Sequence, residues 1–351
     1  MKEKFESLRK KENVKILAIE SSCDETSIAV VENGRTILSN IIATQIDIHK
    51  RFGGVVPEVA SRNHLLAIKN VCKNALETAN LTFDDIDAVA VTYGAGLVGA
   101  LMVGVSYAKA LAYALEKPLL AVSHIHGHIA GNYLSHPDLK PPFVCLMVSG
   151  GHTALVKVED YTKFELLGTT VDDAIGECYD KVARVLNLGY PGGPKIDNIA
   201  KQGKKVYNFA KFTSLKDTLN FSFSGIKTAV INFVHNHEQK GEELQLADIA
   251  CSFQEEVTDE LCNKSINACL QSKINTLVCA GGVAANSRLK EKLTLACKKH
   301  NIKMYSPVLS LCTDNAAMIA SAAYYNLLAG YGLADLSLTA KSTLPIDKLL
   351  I

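Results

Sequence analysis

Residues 17–31 run LAIESSCDETSIAVV, and residues 145–158 run CLMVSGGHTALVKV. Each is an apolar strand, a short polar turn, a Thr and a second apolar strand. Apolar runs of this length bounded by small polar residues predict a β-hairpin in both places. The same pattern twice in one chain reads as an internal duplication, each copy opening an α/β lobe. Any strand–turn–strand rich in Ser and Gly would align comparably, so the segments flanking each hairpin have to carry part of the weight.

Around the first hairpin, VKILAIE (14–20) reads as a buried strand and GRTILSNIIA (34–43) extends the sheet. PEVASRNHLLAIKNVCKNALETA (57–79) has helical periodicity, DAVAVTYG (87–94) is a strand, 97–116 a Gly-rich helix and PLLAVS (118–123) a strand. Around the second, FELLG (164–168) is a further strand, and helices and strands then alternate through DDAIGECYDKVARVLN (172–187), SGIKTAVINFVHNH (224–237), Leu244–Ser272 and INTLVCAGGVAANSRLKEKL (274–293) to LCTDNAAMIASAAYYNLLAG (311–330). The expected division is a charged, solvated extension over 1–13, a first lobe over 14–123, and a second lobe over 124–351. The second lobe carries helical insertions, and its last helix returns to the first. Duplicated hairpin-led lobes resemble the actin-like ATPase superfamily, with its ribonuclease H-like lobes. The resemblance implies a nucleotide cleft between the lobes, faced by both hairpin turns.

At 351 residues and 48% hydrophobic, the chain is long enough for two cores. The formal charge of +1 advertises no broad basic field for nucleic acid. None of the ten cysteines forms a C-x-x-C pair, and most sit in apolar runs, as Cys145 and Cys279 do. They read as small core residues of a reducing compartment rather than a zinc ribbon. The start MKEKFESLRKKENVK has no apolar core of a secretory signal, and the apolar run 97–116 contains Lys109. A cytoplasmic protein without a membrane span is expected.

Five constellations carry chemistry. In SHIHGHIAGNYL (123–134), His124 and His128 are four residues apart, so a helix puts both on one face, able to grip one metal ion. A polar helix start is the plain alternative. A zinc peptidase would need a glutamate where Ile125 stands, so protease chemistry is disfavoured. In VSGGHTALV (148–156), Gly150 and Gly151 let backbone amides approach an anion, with hydroxyls from Ser149 and Thr153; an ordinary hairpin turn also fits. The helix around Asp173, Glu177 and Asp180 carries acids on one side, with Arg184 after them. A solvated charged face is the default for such a run. Gly176 and the loop GYPGGPKID (189–197), ending in Asp197, suggest instead a wall for a ribose or base edge. In CAGGVAANSRL (279–289) a strand ends at Gly281-Gly282, and Asn286 sits one turn into the next helix. Asp314 in CTDNAAM opens a helix, where an Asp commonly caps. Two histidines and one carboxylate also make a metal site with open positions.

Taken in order, SSCDETS, HIHGHIA, SGGHTALV, DDAIGECYDKVAR, YPGGPKID, FSFSGIKTA, AGGVAANSRL and CTDNAAM resemble the tRNA N6-adenosine threonylcarbamoyltransferase (TsaD) family from about Val14 to Gly332. The resemblance implies transfer of threonylcarbamoyl from its adenylate to N6 of the adenosine 3′ of the anticodon, releasing AMP. It implies metal ligands at His124, His128 and Asp314, with Fe2+ or Zn2+ as the ion. It implies substrate contacts at Met147, Val148, Ser149, Gly150, Gly151, Asp180, Gly193, Asp197 and Asn286. Implied partners are tRNA, an ATP/AMP-like nucleotide, a small paralogous protein, an ATPase and a separate synthase that makes the adenylate. Asp24 and Glu25, in the facing turn, are the nearest candidates for proton handling. The rivals are a kinase or ATPase of the same fold, a metallopeptidase and a non-catalytic nucleotide-binding scaffold. A kinase would hold Mg2+ by Asp and water, whereas two histidines favour a transition metal.

Overall fold

The computed structural model describes residues 1–209 and 215–349. Its strands are β1 (Lys15–Glu20), β2 (Glu25–Glu32), β3 (Thr36–Thr44), β4 (Ala88–Gly94), β5 (Leu119–Ser123), β6 (Phe143–Val148), β7 (Thr153–Asp160), β8 (Lys163–Thr169), β9 (Thr276–Ala280), β10 (Lys303–Tyr305) and β11 (Leu333–Ala334). Its helices are α1 (Lys2–Leu8), α2 (Ile46–His49), α3 (Pro57–Ala79), α4 (Val98–Ala114), α5 (His124–Ser135), α6 (Ile175–Val185), α7 (Gly192–Ala200), α8 (Ser224–Lys240), α9 (Leu246–Ser272), α10 (Ser287–Lys299) and α11 (Ala316–Ala329). None is long and apolar enough to cross a membrane.

Two sheets result, ordered β11-β5-β4-β1-β2-β3 and β10-β9-β6-β7-β8. Leaving out the two-residue β11, the order is the same twice. An antiparallel hairpin, β1/β2 or β6/β7, is joined on its other side by a parallel strand, β4 or β9. This is the duplicated actin-like plan that the hairpins predict.

Alternation along the strands gives each sheet two buried faces. Ile16, Ala18, Cys145 and Met147 point into a central core, and Leu17, Ile19, Leu146 and Val148 point outward under the flanking helices. Burial on both faces is why these strands read as continuous apolar runs. The central core is filled by α5 and α11, which pack on each other; α11 also lies on β1 and β2. Fully burying a Leu, Ile or Val side chain contributes roughly 1.5–3 kcal/mol before entropy is counted.

Four local readings change. The first residues are exposed over most of their length, as expected, but form a short helix, α1. Phe5 inserts into the central core, and Lys11 pairs with Asp87 at 2.6 Å. Two apolar residues, Phe5 and Leu8, among charges give too short a run for a clear periodic signal. Asp173 precedes α6 and pairs with Lys181 and Lys227, so that part of the acidic face is structural. The GYPGGPKID segment turns into α7 at Gly192, placing Gly193 and Asp197 on a helix. Asn286 is the N-cap of α10, accepting from the Leu289 amide, rather than a residue one turn in.

Candidate metal centre and substrate cleft

Strand β5 runs directly into α5, so His124 opens the helix and His128 comes one turn later on the same face. Their rings meet edge-on with centroids 4.6 Å apart. Close packing of α11 on α5 brings the third group. A Cβ on Gly127 would come within 2.5 Å of Ile319 Cδ1, so a glycine here lets the helices approach. Asn315, not Asp314, caps α11 by accepting from the Met318 amide at 3.1 Å. Asp314 is thereby released from capping. Its Oδ1 lies 3.1 Å from His128 Nε2 and 3.4 Å from His124 Nε2. The three ligand atoms lie within 4.8 Å of one another. His128 Nε2 is buried and, among the described residues, makes no hydrogen bond of normal geometry, although Asp314 Oδ1 lies 3.1 Å away. His126 turns away to donate to the Ile346 carbonyl at 2.7 Å and stacks on Phe164.

The surroundings are acidic. Glu20, at the end of β1 and fully buried, accepts from the Ser22 amide and the Thr92 hydroxyl and sits 3.1 Å from His124 Nδ1. In the metal-free chain, burial pulls His124 down, but the Asp314 and Glu20 carboxylates hold it well above the ordinary histidine range. Burial raises Asp314, yet His124 and His128 hold it far below the usual carboxylate range. Glu25 is pushed up to about 10 by burial, with Asp24 and Asp314 adding to the shift. His152 is lowered to about 4 by burial and by the charges of His124 and His128. Sequence reasoning passed over Glu20 and His152. Their signals were a charge closing an otherwise apolar strand and the lone imidazole of the SGGHT turn.

The second hairpin turn is held tightly. Ser149 N donates to the His152 carbonyl at 2.8 Å, and the Ser149 carbonyl accepts from Gly176 N at 3.2 Å. The Ser149 amide is therefore engaged within the turn. Gly150 and Gly151 amides have no partner among the described residues, and a Cβ on either would meet nothing within 4 Å. Two further glycines bring neighbours onto this turn. A Cβ on Gly176 would sit 2.6 Å from the Ser149 carbonyl oxygen, and one on Gly281, at φ +92°, would run into that of Val148. Met147 and Val148 are wholly buried, their side chains in different cores and their strand paired on both sides, so in this structure neither presents surface to a ligand.

The remaining expected contacts form a connected wall. Asp180 accepts from Gly192 N at 2.7 Å, locking the start of α7 onto α6. Asp197 accepts from Ser287 Oγ at 2.9 Å and from Gln254 Nε2 at 3.2 Å. Asn286 donates to Gln254 Oε1 at 2.8 Å, linking α7, α9 and α10. Gly193 is open, with nothing within 4 Å of a built Cβ. Asp180 is raised by burial, against the lowering effects of the Gly192 amide and Arg184, and the Asp24 charge adds to the rise.

Residues 36–321 match the family model described as TsaD, tRNA N6-adenosine threonylcarbamoyltransferase. A relative of that name from Clostridium perfringens (strain ATCC 13124) is 59% identical over 334 residues, 95% of this chain and 98% of its own. Another from Clostridium botulinum (strain 657) is 59% identical over 321 residues, 91% of this chain and 94% of its own. Among solved structures, HypF from T. kodakarensis superposes with a TM-score of 0.60 at 14% identity, covering 90% of this chain and 48% of that one. The Acidaminococcus fermentans (R)-2-hydroxyglutaryl-CoA dehydratase component A gives 0.50 at 15%, covering 90% and 98%. These two show the fold alone. The 59% identities, spanning nearly the whole of each relative, go further: the chain belongs to the tRNA N6-adenosine threonylcarbamoyltransferase family.

Proposed function

We propose that this chain moves the threonylcarbamoyl group of threonylcarbamoyl-adenylate onto N6 of the adenosine 3′ of the anticodon in tRNAs reading ANN codons, releasing AMP, with a divalent ion at His124, His128 and Asp314. The observation that carries the metal reading is the meeting of three lone-pair atoms within 4.8 Å, one of them a buried imidazole nitrogen without a hydrogen bond. Burying such a nitrogen unpaired is costly, and a cation removes the cost. Two imidazoles and one carboxylate suit Fe2+ best and accept Zn2+. When bound, the ion supplies Lewis acidity toward the carbamoyl carbonyl and an anchor for the threonyl oxygens.

The chain's own residues do the rest. Adenine N6 is a weak nucleophile, so the acyl group must arrive activated, as it is in a mixed anhydride with AMP. The free Gly150 and Gly151 amides suit the phosphate that departs, with the Ser149 amide and Gly176 fixing the turn beneath them. Asp180, Gly193, Asp197 and Asn286 form the nucleotide wall. Asp24 and Glu25, neighbours in the facing turn, are the candidates to handle the proton leaving N6, with Glu25 pushed up to about 10 by burial and by the Asp24 and Asp314 charges. A formal charge of +1 argues that tRNA is captured together with partners, which this reading takes to be the small paralogue and the ATPase, while a separate synthase supplies the adenylate. Ten unpaired cysteines support a reducing, cytoplasmic setting.

Reconstitution with synthesised threonylcarbamoyl-adenylate, the partners and unmodified tRNA, read as nucleoside composition by mass, tests the reaction. Modified adenosine at the position after the anticodon is the expected product. A requirement met by Mg2+ alone, with a phosphorylated product, would move the chain to the kinase class.

A further inference from the structure

We propose that Glu20 is a positioning residue that fixes which nitrogen of His124 is free to bind the ion, an inference that rests on the metal reading above. Glu20 is an anomaly in β1: it comes after a run of five residues that ends in Leu17, Ala18 and Ile19, and its side chain is fully buried. An unpaired carboxylate there would be strongly destabilising, so its partners identify its task. Oε1 accepts from the Ser22 amide at 2.5 Å. Oε2 accepts from the Thr92 hydroxyl at 2.6 Å and lies 3.1 Å from His124 Nδ1.

A carboxylate only accepts hydrogen bonds, so the His124 ring must present N–H at Nδ1. The lone pair of the neutral ring is then at Nε2, which faces Asp314 Oδ1 at 3.4 Å and the buried His128 Nε2. With Nδ1 held as N–H by Glu20, Nε2 is the nitrogen left to give up its proton and turn its lone pair to an incoming cation. Ser22 Oγ also lies 3.1 Å from Nδ1 and could donate to it, which would favour the opposite tautomer; the charged Glu20 oxygen decides between them. His128 has no such guide, since its Nδ1 is buried without a partner among the described residues. The two histidines are therefore unequal, and His124 is the preorganised one.

The geometry makes Glu20→Gln a sharp probe. The Ser22 amide needs an acceptor, so the glutamine oxygen takes the Oε1 position and its NH2 faces Thr92 and His124. That NH2 donates to Nδ1 and drives the His124 proton to Nε2, into the metal pocket, with almost no change of volume. The experiment is zinc affinity of the full chain by competition with a chromophoric chelator, alongside 15N NMR of the histidine rings in the metal-free protein at a pH high enough to leave the His124 ring neutral. Wild type should show His124 protonated at Nδ1. Glu20→Gln should show it protonated at Nε2 and should bind zinc about 10–100-fold more weakly. Wild-type affinity in Glu20→Gln would overturn the inference and leave the metal reading standing. Failure of wild type to bind zinc or ferrous ion would remove both. Should the variant fold poorly, a wild-type His124 with N–H at Nε2 and bare Nδ1 refutes the inference by itself.

Discussion

Gly176→Ala separates a substrate cradle from an ordinary hairpin turn. Gly176 lies in the first turn of α6, where an alanine favours the helix by up to about 1 kcal/mol. Its Cβ, however, would stand 2.6 Å from the Ser149 carbonyl oxygen, 2.8 Å from Gly150 Cα and 2.9 Å from Gly150 N. All three are backbone atoms, so no side chain can swing aside. Ordinary contact begins at 3.4 Å, so the turn and the helix must separate by about 0.8 Å. Misplacing a reacting group by about 1 Å can cost around 100-fold, or about 2.7 kcal/mol of transition-state stabilisation. The helix gain offsets part of the repacking cost of roughly 1–3 kcal/mol. The expected outcome is thus a fall of about 100-fold in kcat/KM for the adenylate with only a small change in thermal midpoint. Single-turnover transfer to tRNA and thermal unfolding, measured on one preparation, check it. A variant that transfers at the wild-type rate would show that the 149–151 turn does not touch the reacting group.

His124→Ala or Asp314→Ala should abolish both zinc retention and transfer while the fold survives, since Glu20 keeps Ser22 and Thr92 as partners; metal analysis with nucleoside mass reads this, and normal tRNA modification by either variant would sink the ligand assignment. Gly281→Ala should lose about 2 kcal/mol or more by urea titration, because φ +92° is strained for alanine and its Cβ would strike the Val148 carbonyl; an unchanged midpoint would contradict the packing of β9 on β6. His64, buried between Thr26 Oγ1 at 2.7 Å and the Cys23 carbonyl at 3.0 Å, is held below its ordinary value by burial. Above about pH 6.5 both folded and unfolded chains carry it neutral; as pH falls below that, the unfolded chain takes the proton first and stability is lost. Measured in the Asp314→Ala background, so that metal release does not intervene, His64→Gln should flatten that acid-side loss between about pH 7.5 and 5.5, and an identical slope would refute the assignment.

The duplicated hairpins were legible because burial on both faces of β1, β2, β6 and β7 writes itself into the sequence as unbroken apolar runs, and because small residues mark the turns. The same strand order in both sheets stems from that repetition. His124 and His128 were legible for a similar reason: helical spacing is local, and β5 gives way to α5 at His124 itself. Asp314 was not readable from its neighbours. An Asp before a run of small residues looks like a cap, and only the structure shows Asn315 doing the capping. Asp180, Asp197 and Asn286 stood out as polar residues near glycines, yet their bonds to Gly192, Ser287 and Gln254 span 12, 90 and 32 residues. No sequence window contains such pairs.

Glu20 shows most clearly where reading from sequence stops. Its environment is made by Ser22 two residues on, Thr92 in β4 and His124 at the start of α5, three segments that meet only because β1 lies centrally in its sheet beside β4, with β5 next to β4. The β1–β4 ladder puts Ile19 opposite Val91, so Glu20 and Thr92 emerge together at the same end of adjacent strands. The β4–β5 ladder ends with Gly94 opposite Ser123, which delivers His124 to that same end. Register therefore brings the Glu20 carboxylate to the Nδ1 side of His124. The second sheet repeats the arrangement at its own end with different chemistry. There Met147 pairs with Ala280, and the strands deliver the glycine turns at 150–151 and 281–282 instead of a carboxylate and an imidazole. One topology used twice thus supplies a fixed-charge half that suits an ion and an open-backbone half that suits a phosphate. A reaction that must hold an acyl group and release AMP requires both halves to face the same cleft.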